Sequence, residues 1–432
     1  MTAAALDPPR LSADAHRVSL LRLAAVGAVD DGKSTLIGRL LHDADQLTDD
    51  QLEALQSASR SRGEDALNLS FATDGLRAER AQRITIDVAY RYAVTPGRKL
   101  VIADCPGHLE YTRNMATGAS TADLALVVVD VTKGLREQTR RHTALALLFG
   151  VGQLLVAVNK MDLVGWDETA YRRIAGQMEG LALRLGGATT RSVPISALHG
   201  DNVVERSPLA PWYLGPTVLE ALEQAPTSTF AALGRVGARL PVQSAVPQSD
   251  GSLRISGLLT GSGLSRGDPV LVLPQGRRTT IRDLETVDGP VAAAPAPLSI
   301  SVRLADDCQV RRGDMIAAEV DPPPVSADLL TTTCWFGERP LAPGQTYLVK
   351  HTTRVTSATV VAVEGRLDLA TLRLRPDRKL GINDIGIVRW RLAEPIAADP
   401  YRDSRVTGSL IVIDPATNTT LAAAMVGSPP LG

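Results

Sequence analysis

Apolar positions in the first half of the chain alternate between two periods. Short, nearly continuous apolar runs at Leu23-Ala-Ala-Val26, Leu100-Val-Ile-Ala103 and Gln153-Leu-Leu-Val-Ala-Val158 have the length of strands buried on both faces. From Lys33 to His42 the apolar residues Leu36, Ile37, Leu40 and Leu41 fall three and four apart, which predicts a helix. Similar patterns predict helices over 137–149 and 168–186. Strands alternating with helices over residues 19–226 make a βα series with a mainly parallel sheet. Near Pro226-Thr-Ser-Thr the pattern changes. From Leu240 to Ala318 short alternating strands are separated by Gly turns, as in RISGLLTG, DPVLVLP, TTIRDLETV and SISVRL. Asp321-Pro-Pro-Pro324 reads as a stiff linker. Residues 325–428 return to short strands, among them LLTTTCWF, TSATVVAVEG, DIGIVRWRL and GSLIVID. Turn-spaced strands without helices predict β-barrels. The expected layout is a flexible arm at 1–18, an α/β domain at 19–226, and two barrels at 227–322 and 325–428.

Composition narrows the classes. With 432 residues, two to four domains are expected, and 44% apolar content supports large cores. A net charge of −1 and an aromatic content of 3% argue against a broad nucleic-acid surface. No apolar stretch approaches a membrane span, and the first residues, MTAAALDPPRLSADAHR, lack the apolar core of a signal peptide. Cys105, Cys308 and Cys334 are scattered, so neither a disulfide framework nor a zinc site is expected, and a reducing cytoplasm follows.

The chemistry lies at the ends of the predicted strands. Gly27-Ala28-Val29-Asp30-Asp31-Gly32-Lys33-Ser34 fits the phosphate-loop pattern G-x-x-x-x-G-K-[ST], between a strand and a helix start that runs on through Thr35. Its N–H groups and the helix N-terminus suit phosphate. Lys33 reaches the β/γ-phosphates in that pattern, and the Ser34 hydroxyl ligates Mg²⁺. The second run ends at Asp104-Cys105-Pro106-Gly107-His108. An Asp there can hold the Mg²⁺ shell through water, and the Gly107 N–H can meet a γ-phosphate. The third run ends at Asn159-Lys160-Met161-Asp162. The Asp162 carboxylate suits the donor pair of guanine, which adenine lacks. Asn159 braces the loop and the Lys160 stem lies on the base. Ser196-Ala197-Leu198 then closes the base site, with the Ala197 N–H offered to guanine O6. Together these elements predict a P-loop GTPase domain that takes GTP and Mg²⁺. Asp30 and Asp31 either shape the loop or help hold a monovalent cation or a switch. Cys105 reads as small-residue packing, and His142, His199 and His351 as structural.

A GTP-binding domain followed by two barrels resembles the translational GTPases of the elongation factor Tu class. Within that class GAVDDGKSTLIGRLLHDADQL, TIDVAYRY, DCPGHLEYTRNMATGAS and NDIGIVRWRLAEPIAADPYRDSRVTGSLIVID are similar to the large GTPase subunit of bacterial sulfate adenylyltransferase, from about residue 20 to 428. The resemblance implies a regulatory subunit whose GTP hydrolysis helps a small catalytic subunit make adenosine 5'-phosphosulfate and pyrophosphate from ATP and sulfate. It also implies that Thr85 is the switch threonine on Mg²⁺ and that His108 orients the attacking water; otherwise His108 caps or packs. Lys33, Thr85 and His108 are thus the catalytic candidates, and Ser34, Thr85 and Asp104 the metal set.

Other features bear on this reading. None of the six histidines forms an H-x-x-H pair, and there is no S-G-G-x-D-S loop, so adenylyl transfer is expected on the partner. No second phosphate loop occurs, so a fused adenosine phosphosulfate kinase is expected to be absent. Arg83 stands where the family has Gly, as a solvated loop residue, an internal arginine finger, a partner contact or the sign of a reduced switch. Two rival readings are a carrier of aminoacyl-tRNA and a GTPase with an unrelated partner. A tRNA carrier needs clustered Lys/Arg and aromatics, whereas both barrels mix charges, as in Asp306-Asp307 near Arg311-Arg312.

Overall fold

The computed structural model describes residues 19–44, 46, 49, 50, 53, 55, 56, 69, 87–107, 112–227, 236–368 and 371–427. The first unit is built on a six-stranded sheet of β1 (Ser19–Gly27), β2 (Ala89–Val94), β3 (Arg98–Asp104), β4 (Leu124–Asp130), β5 (Gln153–Asn159) and β6 (Thr189–Pro194). Its order is β2-β3-β1-β4-β5-β6. All neighbours run parallel except the edge pair β2–β3. Every residue of β4 is buried, as expected for a parallel strand covered on both faces. The helices are α1 (Lys33–Asp43), α2 (Thr112–Ser120), α3 (Glu137–Leu148), α4 (Glu168–Arg184) and α5 (Val218–Gln224). Asp167 caps α4 through the Thr169 N–H, and Thr217 with Glu220 forms a capping box on α5. Two helix-side cores sandwich the sheet, one around Val26, Val127 and Met178, the other around Leu36, Leu126 and Leu222.

The second and third units are closed antiparallel barrels. In the first, strands from Arg239–Pro247 to Met315–Ala318 form a sheet that the pairing of Pro269–Leu273 with Arg277–Thr286 closes on itself. In the second, the pairing of Thr346–His351 with Arg354–Asp368 does the same. Closure removes the exposed edges that an open sheet leaves. The barrel cores are separate clusters around Leu240, Ile255 and Val302, and around Trp335, Val388 and Trp390.

Buried charge joins the barrels. The Arg239 guanidinium, 1% exposed, donates to both Asp399 oxygens at 2.9 and 3.1 Å. The Thr407 hydroxyl adds a 2.6 Å bond to the same carboxylate. Arg354 forms a second link, to Asp314 at 2.7 Å and to the Gly313 carbonyl at 2.9 Å. The same stretch reaches the first unit: the Tyr401 hydroxyl donates to the Phe149 carbonyl at 2.9 Å and Arg405 to the Ala122 carbonyl at 3.2 Å. Among the described residues no helix is long and apolar enough to cross a membrane.

Asp399→Ala strands the Arg239 guanidinium in the interface, where among the described residues Asp321 at 3.6 Å is the remaining carboxylate. The expected loss is about 3 kcal/mol or more in urea unfolding, because one member of a buried pair is left unpaired. A loss below about 1 kcal/mol, the scale of an exposed pair, would show that Asp321 alone holds the charge.

Candidate nucleotide-binding site

The strand register sets the loops side by side. Ala25 of β1 is level with Asp104 of β3, Gly27 with Val128 of β4, and Asp130 with Asn159 of β5. The carboxyl ends of the parallel strands therefore open on one edge, where open α/β sheets bind ligands. Gly27–Thr35, Asp104, Gly107, Asn159–Asp162 and Ser196–Leu198 all lie there.

The loop after β1 needs its glycines. Gly27 has φ +149°, and a Cβ there would stand 2.5 Å from the Val128 carbonyl oxygen. Gly32 caps α1 in the left-handed region at φ +95°, directly beneath the Asn159 amide, where a side chain would collide. Asn159 ties three loops together. Its Nδ2 donates to the Asp31 carbonyl at 2.9 Å and its Oδ1 accepts the Ala197 N–H at 2.9 Å. Asn159 thus bridges these loops, and the Ala197 N–H already has an acceptor. The Met161 N–H bonds the Ile195 carbonyl at 3.1 Å, which holds Asp162 beside Ser196–Leu198. Lys160, at φ +64°, donates to the Asp30 carbonyl and to the Asp130 carboxylate, both at 2.8 Å. Burial pushes the Asp130 carboxyl up, but the bonds from Lys160 and Thr132 prevail and hold it below the usual range.

Lys33 is buried, with Nζ 3.5 and 3.4 Å from the Gly27 and Ala28 carbonyls. Burial lowers its pKa, while the charges of Asp104 and Asp31 pull the other way. Gly107 packs against this corner, since a Cβ there would lie 2.7 Å from Lys33 Nζ and 3.2 Å from the Val29 nitrogen. The phosphate loop and the loop after β3 thus meet at the lysine. Asp104 is fully buried. With the Ser34 hydroxyl at the head of α1, it offers the hard oxygen donors that suit Mg²⁺. Thr85, His108 and Arg83 lie outside the described residues.

Sequence reasoning missed the contribution of α3 and the residue before it. Arg136 contacts the Val29 carbonyl at 2.5 Å and pairs with Asp31. Gln138 donates to the Gly107 carbonyl, and the Thr139 hydroxyl reaches Asp31 at 3.5 Å. His142, expected to be structural, bonds the Gly27 carbonyl through Nδ1 at 3.1 Å. The only trace in the sequence is spacing: 136, 139 and 142 fall on one helical face. Cys105 is buried as expected, its thiol pushed well above the usual range by burial.

Comparison with known proteins follows the same division. Residues 19–228 match the elongation factor Tu GTP binding domain family, and 329–427 the GTP-eEF1A C-terminal domain-like family. The chain is 47% identical to the bifunctional enzyme CysN/CysC of Mycobacterium tuberculosis, over 94% of this chain and 67% of that protein. It is 44% identical to sulfate adenylyltransferase subunit 1 of Aeromonas salmonicida, over 96% of this chain and 88% of that protein. A solved structure of the bacterial selenocysteine-specific elongation factor EF-Sec is 24% identical, with a TM-score of 0.44, covering 95% of this chain and 59% of that one.

Burial lowers the His142 pKa to about 3, helped by the charge on Lys33. The folded chain therefore keeps this imidazole neutral where the unfolded chain, at the ordinary 6.5, takes a proton. Between those values the unfolded state binds more protons, so stability rises with pH and falls on acidification. Relative to His142→Gln, the parent chain is expected to lose about 1.4 kcal/mol per pH unit below 6.5 in urea unfolding. Parallel pH curves for the two proteins would contradict a neutral His142.

Proposed function

The chain belongs to the family of sulfate adenylyltransferase subunit 1, and we propose that it is the GTP-hydrolysing regulatory subunit of that enzyme. In this role GTP hydrolysis is coupled to formation of adenosine 5'-phosphosulfate and pyrophosphate from ATP and sulfate, in sulfate assimilation. The observation that carries the reading is identity above 40% to sulfate adenylyltransferase subunits along nearly the whole chain. The convergence of four nucleotide loops on one sheet edge supports it. The partner is a small catalytic subunit, the assembly a heterodimer and its place the cytoplasm. The working units are 19–226, 227–322 and 325–428, after an arm at 1–18. Likeness to elongation factors extends only to the fold.

In the proposed cycle Lys33 and N–H groups of the Gly27–Thr35 loop hold the phosphates, the Ala28 N–H being taken by Asp31. Asp162 accepts from the guanine donors, Lys160 spans the base side, and Asn159 holds the loops in place. Ser34 and Thr85, with Asp104 through water, would hold Mg²⁺, and the ion when bound would offset negative charge on the phosphates. Gly107 presents its N–H to the γ-phosphate at a corner where a side chain would crowd Lys33. His108 orients the attacking water.

The purified chain alone is expected to make no adenosine 5'-phosphosulfate from ATP and sulfate. Addition of the small subunit is expected to start synthesis, and GTP to raise it above the GTP-free rate, read as pyrophosphate release. Robust synthesis by the single chain would defeat the division of labour. For the base site, Asp162→Asn is expected to shift preference from guanosine to xanthosine nucleotides by roughly a hundredfold or more, since an amide opposed to the wrong donor leaves a polar group unpaired. Unchanged preference in competition titrations would remove Asp162 from the base site.

A further inference from the structure

The two aspartates of the phosphate loop are a paradox, because a carboxylate in a loop built for a triphosphate opposes its ligand. The fold separates them. Asp30 is exposed, at φ +64°, and gives only its carbonyl to Lys160. Asp31 is turned under the loop and fully buried. One of its oxygens accepts the Ala28 N–H at 3.1 Å and the Thr139 hydroxyl at 3.5 Å. The other is paired with the Arg136 guanidinium, whose same nitrogen also reaches the Val29 carbonyl at 2.5 Å. Arg136 stands just before α3, outside the β1–loop–α1 unit, and grips the loop apex at one carboxylate and one carbonyl.

We propose that Arg136 is a positioning residue for the nucleotide: it cancels the Asp31 charge and leaves Lys33 free for phosphate. Lys33 faces two buried carboxylates, Asp104 and Asp31. With Arg136 in place, Asp31 has its own cation. Without it, Lys33 is the remaining cation whose charge bears on Asp31, and phosphate must compete for it. The Val29 contact adds a geometric hold, because it fixes a peptide of the apex whose N–H groups serve the phosphates. This inference rests on GTP binding at this loop and adds a residue that the phosphate-loop pattern does not contain.

The test is titration of the full chain with fluorescent GDP and GTP analogues. Arg136→Leu is expected to weaken both by roughly ten- to a hundredfold, the scale set by stranding one member of a desolvated charge pair. Asp31→Asn combined with Arg136→Leu removes both charges and is expected to bind at least about threefold more tightly than Arg136→Leu, short of the parent because the Val29 hold is also gone, which also shows that the leucine is tolerated by the fold. Arg136→Lys is expected to fall between parent and Arg136→Leu, since it keeps the charge and loses the planar fork. Affinity of Arg136→Leu within about threefold of the parent would overturn the proposal. So would a double variant as weak as Arg136→Leu, because the defect would then not be the uncompensated charge. A parent chain that binds neither analogue would overturn the nucleotide-site reading itself, and the proposal with it.

Discussion

The Asn159 carboxamide donates to the Asp31 carbonyl and accepts the Ala197 N–H, so loops following three different strands hang on one buried side chain. Each such bond adds only about 1 kcal/mol net, but leaving either backbone group unmade in the interior costs more. The rest of the site inherits this constraint. Gly32 must be glycine because the Asn159 amide lies over it. Asp31 is held facing inward, where its carboxylate needs a cation. Ser196–Leu198 is drawn to the loop after β5 with its Ala197 N–H already engaged.

Helix α3 belongs to the site as much as the loops do. The residues at 136, 139 and 142 reach the phosphate loop, and Gln138 reaches the carbonyl of Gly107. Farther round the helix, Arg141 donates to the Asn383 carbonyl of the second barrel at 3.0 Å. Cys334, Phe336 and Ile385 of that barrel share a core with Leu145 and Phe149. One helix therefore touches the phosphate loop and a barrel together. The loop from Asp399 to Gly408 joins this frame, with bonds to the first barrel through Arg239 and to the first unit through Tyr401 and Arg405.

Much of the fold was legible because its strands are buried on both faces and so read as apolar runs. Strands β1, β3 and β5 and helices α1, α3 and α4 lie within a few residues of where periodicity puts them. Of the elements that escaped, β4 carries that signal throughout, being buried at every position, whereas β2 and α2 lack it. β2, Ala89–Val94, is an edge strand whose large side chains Tyr90, Tyr92 and Val94 are exposed, so the hydropathy pattern does not mark its inward face. α2, Thr112–Ser120, is made of small and polar residues apart from the buried Met115. Expectations for Thr85, His108 and Arg83 fall outside the described residues.

By itself the sequence determined which chemical groups are available and in what local order: a glycine loop before a helix, an aspartate after one strand, an N-K-x-D after another. Local periodicity and turn chemistry act over a few residues, so they can be read without neighbours. Only the tertiary structure decided which charges are neutralised and by what. Arg136 lies 105 residues from Asp31, and Arg239 lies 160 from Asp399. Such pairings depend on distance in space, which falls off the chain's local record. The same holds for Ala197, whose N–H is committed by a side chain 38 residues away.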